Sequence, residues 1–112
     1  MPEDCLFCKI AAGEIPADVV RETDRTLAFR DINPQAPTHV LVIPRAHLKD
    51  VGELVADESL LAVVMREATA VAKDDGLDSY RLLFNTGSGA GQTVFHAHAH
   101  VLGGRGMSWP PG

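Results

Sequence analysis

Apolar and polar positions alternate along this chain with two distinct periods, and the change between them marks the elements. From Asp57 to Asp74 the apolar residues Leu60, Leu61, Val64, Met65, Ala68, Val71 and Ala72 recur at steps of three and four, the signature of one buried helical stripe. Asp57 supplies an N-cap and Gly76 a stop. The run His39-Val40-Leu41-Val42-Ile43, closed by Pro44, is continuously apolar and β-branched, and so predicts a central strand buried on both faces. Asp18–Arg21 and Thr26–Arg30 read as two strands joined around Thr23-Asp24-Arg25, Tyr80–Asn85 as another, and Val94–Leu102 as a last strand after a glycine-rich loop. A short helix is predicted over Asp4–Ala12, capped by Asp4 and stopped at Gly13, with a further helical turn over Lys49–Leu54. The connections are too short for repeated β-α-β crossovers, which predicts an α+β fold on a mostly antiparallel sheet.

Composition narrows the classes. At 112 residues, with 46% hydrophobic and 22% charged residues, the chain reads as a single globular domain over 1–112, small enough for oligomerisation to matter. No apolar run approaches the length that spans a bilayer, and the first residues lack the basic and apolar stretches of a signal peptide, so a cytoplasmic protein is expected. A net charge of −5 argues against nucleic acid or a membrane surface as partner. The tail 103–112 is rich in glycine and proline yet holds the only tryptophan, Trp109. A large aromatic on an irregular tail suggests docking on a neighbouring subunit. Cys5 and Cys8, spaced as Cys-x-x-Cys, suggest metal or redox chemistry more than a structural disulfide. Two ligands do not close a zinc site, and two semi-buried thiols on one helix face are the plainer alternative.

Three of the five histidines, His96, His98 and His100, fall on alternate residues. In extended backbone this spacing puts the imidazoles on one face and Ala97, Ala99 and Val101 on the other. A histidine-rich surface strand is the bland reading; chemistry near neutral pH or metal binding is the other. The run His96-Ala97-His98-Ala99-His100-Val101-Leu102 resembles the signature of the histidine triad (HIT) superfamily of nucleotidyl hydrolases and transferases. Asp31 through Pro44, and Gly91-Gln92-Thr93 through Trp109-Pro110-Pro111-Gly112, resemble blocks of its Hint branch.

That resemblance implies a HIT-like five-stranded sheet with one long and one or two short helices, assembled as a homodimer. It implies cleavage of the P–N bond of nucleoside 5′-monophosphoramidates, purine nucleotides (AMP or GMP) linked to amines, through a covalent nucleotidyl-histidine. His98 matches the nucleophile, with the His96 carbonyl as acceptor for its Nδ1–H. His100 matches the residue beside the phosphate and leaving group, and His39 one that supports this network. Asp31 matches the ribose-binding acid, while Asn85, Thr93 and the glycine loop ending at Gly91 match phosphate or leaving-group contacts. Phe7, Ile10, Phe29 and Ile32 are candidates for a base pocket. Trp109 matches a tail residue acting on the partner subunit's site. Several members of the superfamily hold a structural zinc, for which the matching ligands are Cys5, Cys8, His47 and His96; no cofactor is implied for the chemistry itself. Hydrolysis or phosphorolysis of dinucleoside polyphosphates, and a non-catalytic nucleotide-binding scaffold, are the competing functions.

Overall fold

The computed structural model describes residues 4–112; Met1, Pro2 and Glu3, which the single-domain span 1–112 includes, lie outside the described residues. Five strands, β1 (Val19–Glu22), β2 (Thr26–Arg30), β3 (Thr38–Pro44), β4 (Tyr80–Leu83) and β5 (Ala99–Gly103), form one sheet of order β1-β2-β3-β5-β4. Every pairing is antiparallel. Strand β3 is central, and all seven of its residues are buried, as its unbroken apolar run requires.

Alternation along β2 and β3 sorts the core into two layers. Ala28, Val40 and Val42, with Ala97, Ala99 and Val101 near the C-terminus, pack with Leu60, Val64, Ala68, Val71 and Ala72 of the long helix α3 (Glu58–Asp74). Leu54, on the single-turn helix α2 (Val51–Leu54), closes this layer and is fully buried. On the opposite face Leu27, Phe29, Leu41 and Ile43 meet Cys5, Phe7 and Cys8, which come from or cap the short helix α1 (Leu6–Ala11). Packing dominates the α3 side, where Glu67 is also buried. The polar chemistry gathers on the α1 side.

Ion pairs tie α3 to the sheet at both ends. Arg25 joins Asp57 at 2.7 Å, and Arg21 reaches both Glu67 and Asp74 at 3.1 and 2.9 Å. Arg30 grips Asp75 through two nitrogens at 2.9 and 3.1 Å, and the Thr38 hydroxyl donates to the same carboxylate at 2.8 Å. These hydrogen bonds hold the Asp75 carboxyl below its ordinary range, the Arg30 guanidinium contributing most.

Two expectations change. The last strand begins at Ala99 rather than Val94, so of the three histidines only His100 lies in the ladder. The sorting of faces nevertheless holds for the whole run, because the segment before β5 stays extended enough to send Ala97 to the α3 layer and His96 and His98 to the other. Helix α1 is capped by Cys5 rather than Asp4: the Cys5 sulfur accepts from the Cys8 amide at 3.3 Å. Among the described residues no helix is long and apolar enough to cross a membrane. Leu54→Ala should cost about 2–5 kcal/mol of folding stability, the range for truncating a fully buried leucine; urea unfolding of both proteins checks this.

Candidate functional site

Four elements meet on the α1 face. Helix α1 brings Phe7, strand β2 ends in Arg30 just before Asp31, β3 carries His39, the segment entering β5 carries His96 and His98, and β5 itself carries His100. Between them opens a cavity of about 860 Å³ whose lining includes His98, His100, Asp31, Thr93 and Gly91 at the polar part, and Phe7, Ile10, Phe29 and Ile32 among its apolar walls. Ile32 is otherwise wholly exposed, so an apolar lip stands ready for a flat ligand. The glycine loop turns through a 3-10 segment at Ser88–Ala90, and Gly91 after it sits at φ +94°, where an L side chain is strained. Gln92, buried within this loop, pins it by donating to the carbonyls of Lys49 and Val94 and accepting from the Gly87 amide.

The hydrogen bonds fix every tautomer in the neutral site. A carbonyl only accepts, so the 2.7 Å contact between His98 Nδ1 and the His96 carbonyl places the His98 proton on Nδ1 and leaves its Nε2 lone pair free. The Gln35 amide donates to His39 Nδ1 at 3.0 Å. His39 therefore bears its proton on Nε2 and donates it to His100 Nδ1 at 2.9 Å. His100 is left with Nε2–H, a buried donor with no partner among the described residues. Asp31 stands 3.4 Å from His39 Nε2 and accepts from the Asn33 amide at 2.8 Å.

Burial, the largest influence on all three, holds His39, His98 and His100 below the ordinary histidine range. His100 is pushed down to about 4, with His98 and His39 adding to the effect of burial. At neutral pH the free site thus presents uncharged imidazoles, one with an open lone pair and one with an open N–H. Phe7 lies edge-on to His98 with ring centroids 5.0 Å apart, which limits how far that ring can turn.

His96 faces elsewhere. Its Nε2 donates to the Pro44 carbonyl at 2.7 Å, so Nδ1 carries a lone pair. That nitrogen lies 3.3 Å from Cys5 Sγ, 3.5 Å from Cys8 Sγ and 3.3 Å from His47 Nδ1, and the last lies 3.4 Å from Cys8 Sγ. All four donor atoms fall within 4.8 Å of one another. Tetrahedral zinc, with bonds of about 2.0–2.1 Å to nitrogen and 2.3 Å to sulfur, separates N from N by about 3.3 Å and N from S by about 3.6 Å. Four of the six edges of the donor set therefore match a zinc tetrahedron, and the other two lie within 4.8 Å. The Pro44 carbonyl gives His96 the outer partner that a metal-bound histidine normally has.

The other expected residues sit apart from the cavity within one chain. Asn85 is not among its lining residues, although its amide nitrogen lies against Gly91. Trp109 is 82% exposed, with the Arg81 guanidinium 6.0 Å from its ring centroid. The Gln35 amide, the Pro44 carbonyl and Gln92 had no signal in the sequence, since two act through backbone and the third through a loop.

Residues 12–107 match the family model of the HIT domain. The chain belongs to the HIT family. A HIT family hydrolase from Legionella pneumophila is 54% identical, with 97% of this chain and all of that one covered and a TM-score of 0.93. An uncharacterized HIT-like protein of Synechocystis sp. is 51% identical over 114 residues, covering both chains fully. A 14 kDa zinc-binding protein of Zea mays is 49% identical over 111 residues, 96% of this chain and 87% of its own. The HIT domain match begins after Cys5 and Cys8, so half of the metal-ligand set lies outside it.

Burial pushes the Cys8 thiol up to about 11, with the neighbouring Cys5 adding to the shift. A metal must therefore displace its proton at every pH in the working range, and affinity should climb as pH rises, by about tenfold per unit for each proton released. Protein purified without a histidine tag should hold about one zinc per chain. A competition titration against a chromophoric chelator at pH 6, 7 and 8 measures the slope, and a flat response would remove Cys8 from the ligand set.

Proposed function

We propose that this HIT-family protein is a Hint-like purine nucleoside phosphoramidase, which hydrolyses the P–N bond of AMP- or GMP-linked amines through a nucleotidyl-histidine on His98. The observation that carries this reading is the His98 Nδ1–H bond to the His96 carbonyl at 2.7 Å, which aims chemistry at Nε2 of a neutral imidazole on the cavity wall. In this reading the chain is one HIT domain, working in the cytoplasm as a homodimer whose tail, residues 103–112, docks on the partner subunit.

The base lies between Phe7, Ile10, Phe29 and Ile32, and Asp31 accepts the ribose hydroxyls. Thr93, the amide of Gly91 and Asn85 behind it hold the phosphoryl oxygens and leaving group. His98 Nε2 attacks phosphorus as the P–N bond breaks, and its retained Nδ1–H gives the intermediate an imidazolium ring that the His96 carbonyl stabilises. The departing nitrogen needs a proton. His100 Nδ1 already accepts from His39, so His100 stays neutral and holds the phosphoryl oxygen or the departing nitrogen through its free Nε2–H, while the amine leaves with a proton taken up from solvent. Water then attacks phosphorus, its proton passes back to solvent, and His98 leaves as the neutral imidazole it was.

His39 keeps His100 in the tautomer this requires. Zinc on Cys5, Cys8, His47 and His96 is structural in this scheme: four protein ligands close the site, so it offers no position to substrate. Trp109 is exposed in the single chain, as a residue that works across a dimer is expected to be.

AMP release from adenosine 5′-phosphoramidate and from diadenosine tetraphosphate, measured side by side, tests the reading. The phosphoramidate should be the faster substrate, and His98→Ala should abolish its turnover while AMP still binds. Asp31→Ala should instead weaken AMP binding by about 1–3 kcal/mol, the scale of a lost hydrogen bond to a charged group. Preference for the tetraphosphate would move the protein to the dinucleoside polyphosphate hydrolases, and release that survives His98→Ala would end the covalent scheme.

A further inference from the structure

The carbonyl that orients His98 and the ring that completes the zinc set belong to the same residue, His96. We propose that Cys5, Cys8 and His47 are positioning residues for His98, acting through the metal-anchored ring of His96 on the carbonyl that sets the nucleophile's tautomer.

The His96 carbonyl lies before β5, outside the ladder that fixes the rest of the sheet. Local backbone restraint consists of the Ala97 amide donating to the Leu48 carbonyl at 2.6 Å and Gln92 donating to the Val94 carbonyl at 3.1 Å. The His96 ring is the larger anchor, because it is completely buried and held at both nitrogens. Its cluster draws together three separate parts of the chain: the start of α1, the loop after β3, and the segment entering β5.

Phe7 lies between the two cysteines in sequence and packs edge-on against both rings, at 6.0 Å from His96 and 5.0 Å from His98. Without the cation only S–H···N and N–H···N contacts of 3.3–3.5 Å hold the four groups together. These are weaker than metal bonds, so the His96 ring is free to shift, and the carbonyl moves with it. His98 then loses the acceptor that keeps its proton on Nδ1.

Only the kinetic half of the test rests on the phosphoramidase reading. The full chain, labelled with 15N-histidine, is compared zinc-loaded, stripped by a chelator and reloaded. Loaded protein should show His98 as the Nδ1–H tautomer with a hydrogen-bonded ring proton. Stripped protein should lose that proton and populate the Nε2–H form, with kcat on adenosine 5′-phosphoramidate down about tenfold or more, the usual scale for loss of an outer-shell support. KM should stay within about twofold, and reloading should restore both signals.

Two variants separate positioning from folding. His96→Ala keeps the carbonyl but removes the anchored ring, and should behave as the stripped protein does. His96→Cys rebuilds a closed three-cysteine, one-histidine set and should recover the Nδ1–H tautomer on zinc loading. Stripped protein or His96→Ala that keeps the tautomer and kcat would overturn the proposal. So would unfolding of both by circular dichroism, which would assign the cluster to stability alone. If zinc-loaded native protein cleaves no phosphoramidate, the phosphoramidase reading fails, and the His98 ring proton still decides this one.

Discussion

One hydrogen bond, from His98 Nδ1 to the His96 carbonyl at 2.7 Å, governs how this site can work. A buried imidazole has two nitrogens of nearly equal basicity, and without a fixed acceptor its proton is shared between them. The carbonyl resolves that choice without introducing a charge. A carboxylate in the same place would raise the basicity of His98 and draw a proton onto it, which would cover the lone pair that a nucleophile needs. A neutral acceptor combined with burial keeps His98 uncharged and still assigns its tautomer.

The second imidazole pair follows the same logic from the opposite end. A backbone amide, that of Gln35, donates to His39, and His39 in turn donates to His100. The relay starts from a group that never changes protonation, so the free N–H of His100 is dictated by the fold. The cost is an unpaired buried donor, of a kind that native proteins rarely leave without a ligand. With the apolar lip at Ile32 and the glycine loop, this orphan donor lines the same cavity as His98. Asp31, next to His39, supplies acceptors a short distance further along.

How much of this was legible in the sequence depends on which atoms carry the signal. The long helix, the central strand and the five-stranded antiparallel sheet follow from side-chain periodicity, because burial of Val40, Val42 and the α3 stripe is decided by which face each residue occupies. The start of the last strand differs from its pattern for the complementary reason. Alternation reports faces and not ladder hydrogen bonds, and His96 and His98 keep their face without having strand partners. The cap of α1 was assigned to Asp4 because carboxylates usually serve there, whereas Cys5 takes the position as part of the metal cluster. The Gln35 amide and the Pro44 carbonyl lie beyond any pattern, since main-chain groups are the same at every residue, and the Gln92 side chain braces backbone groups whose approach only the folded loop sets.

Alternation of histidines also explains how two sites of different character fit on one short segment. Extended backbone advances about 6.6 Å for every two residues, enough to carry His96 to the start of α1 while His98 and His100 face the cavity. A helix would have fanned the rings apart, and adjacent histidines would have sent one of them into the α3 core. Ala97 and Ala99 complete the arrangement. Both are buried against the α3 layer, and their small side chains let the segment lie close to the helix without lifting the histidines away from α1. A larger residue at either position would act on the catalytic face by pushing the backbone, although it touched no ligand. The residues between the histidines are thus as much a part of the site's geometry as the imidazoles themselves.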